Sequence, residues 1–144
     1  MVKQANNYLY EVMNRCIEEM DNEHHCVFEH SYKTDDQLKT RLSSRVEGVK
    51  GASCFYEDVD IAETVSDIIY DSMEILPWLK NTAEKTDLVV YAEYPDCGKK
   101  FLKSREHDWS TGAINCNTVA LVLGKKTDIA GCVTKMYIKT CYPI

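Results

Sequence analysis

Four side chains suited to acid–base and phosphate chemistry stand in two pairs along this sequence. His30 and Arg41 are 11 residues apart, and Thr140 and Tyr142 lie close to residue 144. A histidine can act as a general base or acid near neutral pH. An arginine offers a permanent charge and a planar fork for phosphate oxygens, and hydroxyls can donate to a developing anion. Each residue also has a purely structural interpretation, namely a half-buried histidine, a solvated helix arginine and two edge-strand hydroxyls.

Other reactive residues show weaker patterns. His24 and His25 precede Cys26, but adjacent helical residues point about 100° apart and rarely share one metal ion. No Cys/His pair elsewhere has metal-ligand spacing, so no metal site or other cofactor is predicted. His107 lies in a polar loop and is predicted to be solvated. A Cys–His nucleophile pair stays open, although nothing distinguishes one cysteine from the others.

The elements that carry the two pairs can be predicted. Thr34-Asp35-Asp36-Gln37 is a capping box, which predicts a helix from Asp35 to about Arg45 that buries Leu38 and Leu42 and carries Arg41 beside them. The segment from Val133 to Tyr142 alternates as a β-strand does, which places Thr140 and Tyr142 on one face.

The remaining segments predict an α+β fold, with N-terminal helices packed on a C-terminal antiparallel sheet in a single domain of residues 1–144. Residues 1–25 add a helix, of which 5–20 are amphipathic. Further expected elements are a strand at 53–56 and a helix capped by Asp58 or Asp60, with Ile61, Val65, Ile68, Ile69 and Met73 on its buried face. Pro77 either ends this helix or opens a short segment at 78–80. A strand at 88–94 ended by Pro95–Gly98, a basic loop at 99–112 with room for another short strand, and a strand at 117–123 ended by Gly124 complete the chain.

Composition describes a globular chain with an uneven charge. The net charge is −6, which argues against nonspecific nucleic-acid binding, yet residues 99–144 carry +5 and the rest −11. This asymmetry fits either ordinary surface variation or a basic sheet face with a separate acidic face. There is no membrane-length apolar run and no signal-peptide pattern, so the chain is expected to be cytosolic or a fragment of a larger exported protein. The 7 cysteines form no close pair, which favours reduced thiols; one or two disulfides stay possible in an oxidising space.

Five features in order resemble the bacterial RNase A-like toxin domain found at the C-termini of contact-dependent growth inhibition proteins and related polymorphic toxins. They span about residues 26–144. They are His30 followed by Leu38 and Arg41-Leu42, Ser53-Cys54-Phe55 before a helix with Ala62-Glu63, Ile75-Leu76-Pro77-Trp78-Leu79, Thr111-Gly112 before the strand Val119–Leu123, and Thr140-Cys141-Tyr142-Pro143.

The resemblance implies a kidney-shaped, RNase A-like fold and a metal-independent ribonuclease that cuts RNA, with tRNA as one candidate substrate, through a 2′,3′-cyclic phosphate. It implies His30, Arg41, Thr140 and Tyr142 as catalytic residues. It also implies a cognate immunity protein, dispensable disulfides, and delivery within a larger effector that acts in the cytoplasm of a target cell. We expect the basic residues Lys99, Lys100 and Lys139 to contact the RNA.

Two alternatives remain at this stage. The overall acidity of the chain departs from what a ribonuclease is expected to show, and it would suit a non-enzymatic binding module such as an immunity or adaptor protein. A nuclease of the same broad type could instead use His24 or His25 for acid–base chemistry.

Overall fold

Four helices and four strands build the structure, a computed structural model that describes residues 2–23, 30–43, 50–84 and 86–144, with backbone alone for 2–6 and 21–23. In chain order the elements are α1 (Val2–Glu23), α2 (Asp35–Ser43), β1 (Gly51–Phe55), α3 (Ile61–Asp71), α4 (Ile75–Lys80), β2 (Leu88–Leu102), a 3₁₀ turn (Trp109–Thr111), β3 (Ile114–Thr127) and β4 (Val133–Pro143). The predicted α+β class is confirmed.

The strands form one antiparallel sheet in the order β1-β2-β3-β4. β1 pairs only with the second half of β2, from Gly51 opposite Leu102 to Phe55 opposite Gly98. The sheet curls strongly, so that β1 and β4 contact each other although they lie at opposite ends of the strand order. This curl brings the beginning and the end of the sheet together around one concave site.

Two hydrophobic clusters hold the helices on the sheet. The larger one joins α1, α3 and α4 to one sheet face, and α3 contributes the predicted stripe of Ile61, Val65, Ile68 and Ile69. The smaller one packs Leu38 and Leu42 of α2 against β1 and Phe101. Helix α1 lies along β4, where the Tyr8 hydroxyl donates to the Val133 carbonyl at 2.5 Å. No helix among the described residues is long and apolar enough to cross a bilayer.

Both predicted helix caps are confirmed. The Thr34 amide donates to Gln37 Oε1 at 2.8 Å and the Gln37 amide donates to Thr34 Oγ1 at 3.2 Å, which is the reciprocal pattern of a capping box. Asp60 Oδ1 accepts from the Glu63 amide at 3.1 Å and starts α3. Helix α3 ends at Asp71, well before Pro77, and Met73, which was predicted on its buried face, lies beyond the helix and is exposed.

The predicted end of the second strand is wrong. β2 continues through Pro95–Gly98 to Leu102, so residues 99–102, predicted as part of a basic loop with room for a separate short strand, continue β2 itself. The pairing shifts between Glu93 and Gly98, and Asp96 adopts a φ of 54° there. A bulge accommodates a proline, which cannot donate to the ladder, without ending the strand. The Asp96 amide donates to the Asn117 side chain at 2.8 Å, which satisfies this irregular turn.

The third strand is also longer than predicted, because β3 passes through Gly124 to Thr127. A side chain at Gly124 would overlap the ring of Tyr137 on β4, with the hydroxyl oxygen 2.6 Å from the Cβ position. The glycine therefore serves ring packing across the sheet instead of ending the strand.

A bulge in β4 determines which way its last residues face. Thr140 pairs with Val122 and Ile138 pairs with Leu123, which leaves Lys139 as one extra residue. Since strand side chains alternate, an unbulged strand would place Thr140 and Tyr142 on the buried face of Ile138. The extra residue moves them to the opposite face, and Cys141 is buried instead.

Candidate active site

The four residues of the predicted catalytic set line one pocket of about 240 Å³. His30 lies just before α2, Arg41 is on α2, and Thr140 and Tyr142 are on β4. Gly51, Ala52 and Ser53 of β1 form the remaining wall. The fold thus brings together two residue pairs that are about one hundred positions apart in the sequence.

His30 is fixed against β1 by its backbone and its ring. Its carbonyl accepts from the Phe55 amide at 2.8 Å, and its Nδ1 lies 3.4 Å from the Ser53 carbonyl oxygen. When Nδ1 carries the proton that faces this carbonyl, Nε2 is the unprotonated nitrogen and can accept a proton. In this tautomer the half-buried imidazole can act as a general base.

The Tyr142 ring lies next to the His30 ring in the pocket. The two ring centroids are 5.7 Å apart and the planes are tilted by 40°. The Tyr142 side chain is half-buried, as is that of Thr140. Two hydroxyl donors and an imidazole consequently face one small volume, which is a suitable arrangement for binding an anion and moving a proton.

Arg41 supplies the positive charge of the pocket. The capping box fixes the start of α2, and buried Leu38 and Leu42 fix its rotation on the smaller cluster. Arg41 precedes Leu42 directly and is exposed at the pocket rim. A guanidinium in this place can form two parallel hydrogen bonds with phosphate oxygens.

Lys99 is directed away from the pocket. Its side chain is 11% exposed and its Nζ lies 2.8 Å from Asp35 Oδ1. The same ammonium lies 4.7 Å from the centre of the Tyr32 ring. Lys99 ties the sheet to the segment between His30 and α2, a placement that favours positioning of His30 over direct contact with RNA.

The other two predicted RNA-contacting lysines differ in position. Lys100 is half-buried and pairs with Ser53, so both side chains share a sheet face and Lys100 lies one strand from the pocket wall. Lys139 is the bulged residue of β4 and forms an exposed ion pair with Asp87 at 2.7 Å. Neither residue lines the pocket.

The prediction that His107 is solvated is wrong, because this residue is 8% exposed. Its Nδ1 accepts from the Leu102 amide at 3.2 Å and its Nε2 lies 3.0 Å from the Gly112 carbonyl. This pattern requires the proton on Nε2. The ring stacks on Phe101 at 5.3 Å, so His107 closes the loop after β2 and has no place in the pocket.

The remaining reactive groups do not form a second site in the described part of the chain. His24, His25 and Cys26 lie outside the described residues. Across the side chains that the structure describes, no three His, Cys, Asp or Glu residues lie close enough to hold a metal ion. The six described cysteines form no disulfide with one another, and five of them are buried. Burial raises the pKa of the Cys116 thiol to about 11, so it is a poor nucleophile at neutral pH.

Two features that shape the pocket were not predicted from the sequence. The β1 wall was predicted only as a short strand, and the bulge at Lys139 was not predicted. A signal for the bulge exists, because the buried positions Met136, Ile138 and Cys141 are spaced by two and then by three. That change of spacing indicates one extra residue in a strand.

The fold recurs in a solved structure. A chain of the CdiA-CT/CdiI complex from Y. kristensenii 33638 aligns with a TM-score of 0.60 and 22% identity, over 84% of this chain and 99% of that chain. No protein-family model and no curated protein sequence matches this chain. At that identity the alignment shows a shared fold, and the chemistry must be argued from the pocket.

Proposed function

We propose that this chain is a metal-independent endoribonuclease of the toxin type, which cleaves RNA through a 2′,3′-cyclic phosphate. The observation that carries the proposal is the pocket lined by His30, Arg41, Thr140 and Tyr142. A base, a fixed cation and two hydroxyl donors are the groups that a phosphoryl transfer without metal requires. The pocket has the size of one phosphate group with its nearest sugar atoms.

The proposed reaction is an in-line transesterification. The ribose 2′-oxygen forms a bond to phosphorus while the bond from phosphorus to the 5′-oxygen breaks. His30 takes the proton of the 2′-hydroxyl, and the leaving 5′-oxygen takes a proton from the Tyr142 hydroxyl or from water. Arg41 and Thr140 stabilise the charge on the non-bridging oxygens. The products are a 2′,3′-cyclic phosphate and a 5′-hydroxyl.

The setting proposed for this reaction is competition between bacteria. The structural neighbour is a CdiA-CT/CdiI complex, which joins a contact-dependent growth inhibition toxin domain to its immunity protein. We propose that this chain is likewise part of a larger effector that is delivered to target cells, and that a cognate protein blocks its pocket. An RNase A-like kidney shape and a tRNA substrate belong to the same proposal.

RNA cleavage in EDTA tests the chemistry. Wild type is expected to cut a 5′-labelled RNA to fragments that end in a 2′,3′-cyclic phosphate, and His30→Ala and Arg41→Ala are expected to lose about two orders of magnitude or more in rate. Lys103→Ala, a loop variant outside the pocket, serves as the control. Cleavage that disappears in EDTA, or that persists in His30→Ala, contradicts the mechanism.

A second candidate is an immunity or adaptor protein, since the neighbouring complex contains both kinds of chain and this chain has a net charge of −6. Expression separates the candidates. A nuclease toxin is expected to arrest growth when expressed alone and to be tolerated as Arg41→Ala, whereas an immunity protein is tolerated in both forms.

A further inference from the structure

One face of the sheet beside the pocket is covered by none of the helices that the structure describes. Alternation puts Val90, Leu121 and Cys141 on the face that is buried by α1, α3 and α4. Their neighbours in sequence therefore point to the other face. The cross-strand pairing of Tyr91 with Ala120 and of Ala120 with Tyr142 places these three residues in one row on it. We call this surface the open sheet face.

Two aromatic rings lie in this row of the open sheet face. Ala120 pairs with both Tyr91 and Tyr142 and is itself fully buried between them. Since neighbouring strands are about 4.8 Å apart, the backbones of the two tyrosines are about 10 Å apart. Tyr142 lines the pocket and Tyr91 is 64% exposed. The row thus extends from the pocket towards solvent.

A further aromatic ring, that of Tyr137, lies on the same face next to a cation. Tyr137 pairs with Gly124, two residues from Val122, which pairs with Thr140. Lys126 Nζ lies 5.9 Å from the centre of the Tyr137 ring. Among the described residues no carboxylate lies within ion-pairing distance of Lys126, whereas Lys135 and Lys139 pair with Glu19 and Asp87. Its ammonium is therefore available for an anion.

We propose that the open sheet face, through Tyr91, Tyr137 and Lys126, binds the single-stranded RNA that flanks the phosphate in the pocket. This rests on the proposed ribonuclease function and names the form of its substrate. Bases stack on exposed aromatic rings, and an adjacent cation holds the backbone. The continuity of the row Tyr91–Ala120–Tyr142 with the pocket connects binding to cleavage.

Two properties of the face select single-stranded over double-stranded RNA. In a duplex the base faces are already stacked, and recognition depends on phosphates and 2′-hydroxyls in a shallow groove. With Lys135 and Lys139 engaged in ion pairs, few cations on this face remain for a duplex backbone. Stacking should then supply most of the affinity. The decrease of affinity with salt concentration should correspond to the neutralisation of only about one or two phosphates.

Binding to an uncleavable probe tests the proposal separately from catalysis. The probe is a 2′-O-methyl RNA dodecamer of mixed sequence, single-stranded or annealed to its complement, with the affinity measured by fluorescence anisotropy. Wild type is expected to prefer the single strand. Tyr91→Ala should weaken binding about 5-fold to 100-fold, and Tyr91→Phe should restore it, because the ring and not the hydroxyl stacks.

Tyr10→Ala is the matched control, since Tyr10 is 46% exposed on α1, the helix that packs along β4. Equal affinity for single strand and duplex, or unchanged binding by Tyr91→Ala, overturns the proposal. So does a result in which Tyr91→Ala binds RNA normally and loses only a protein partner. If the probe binds through Tyr91 while natural RNA is not cut, the binding surface stands and the nuclease proposal fails.

Discussion

The ring of Pro143 occupies the space in which a side chain on Gly98 would lie, with its Cγ 2.7 Å from that Cβ position. Gly98 pairs with Phe55 of β1 and with Cys116 of β3, so the contact fastens the last residues of β4 to the junction of three strands. Pro143 directly follows Tyr142, whose ring lies 5.7 Å from that of His30.

Gly98→Ala should therefore damage both stability and the pocket. The added methyl group overlaps the Cys54 carbonyl oxygen of β1 and the ring of Pro143, and both must move, which should cost about 1–3 kcal/mol in free energy of unfolding. RNA cleavage should fall further than the loss of stability explains, because Tyr142 moves with Pro143. Urea denaturation and cleavage rates measure the two effects. Val65→Ala is the control, because it lowers stability from the buried face of α3 and does not line the pocket; equal loss of activity in both variants would show that the Gly98 contact has no particular role in activity.

The Tyr142→Phe variant distinguishes the contribution of the hydroxyl from that of the ring. The ring should keep its place beside His30, so the free energy of unfolding should stay within about 0.5 kcal/mol of wild type. Loss of the donor should lower kcat about 100-fold if the hydroxyl acts in the transition state. Single-turnover cleavage kinetics give the answer. A Tyr142→Phe enzyme with normal kcat would show that only the ring matters.

Deletion of Lys139 should reverse the sheet face to which the last side chains of β4 point. Without the extra residue, Thr140 and Tyr142 would follow Ile138 in register and point into the core. We expect loss of activity and a decrease of more than about 2 kcal/mol in stability. Lys139→Ala keeps the bulge, loses only the exposed pair with Asp87, and should remain folded and active. An active deletion variant would contradict the role of the bulge.

The Lys99–Asp35 pair should give a pH-dependent contribution to stability. Burial alone would lower the pKa of Lys99, but the hydrogen bond and charge of Asp35 outweigh it and raise this pKa above its usual value. A raised folded-state pKa stabilises the fold below the unfolded pKa of about 10.4, and the contribution is lost as the pH rises through the folded pKa.

Lys99→Met should accordingly cost about 1 kcal/mol at pH 8, and the difference from wild type should shrink above about pH 10.5. Urea denaturation across this range measures it. A difference that stays constant with pH would assign the contribution of Lys99 to the packing of its aliphatic stem. Because the pair anchors the segment before α2, cleavage at pH 8 should also weaken in this variant.

Local signals in the sequence predicted the elements, and long-range contacts decided how they meet. The capping box at Thr34 and the stripe Ile61–Ile69 depend on residues three or four apart, which sequence patterns report directly. The strand ends at Pro95 and Gly124 were predicted wrongly, since each of these residues is accommodated by a partner strand. The pairs Gly98–Pro143 and His30–Tyr142 join distant parts of the chain, and no local pattern encodes such contacts.

Because the sheet curls strongly, the pocket forms at a late stage of folding. Helices and hairpins form from nearby residues, but the contact between β1 and β4 closes a loop of some ninety residues and belongs to the slow events of folding. The pocket therefore exists only once β4 has joined the sheet, since Thr140 and Tyr142 complete a site whose other residues lie about one hundred positions earlier. For the proposed nuclease, activity would begin only at that step.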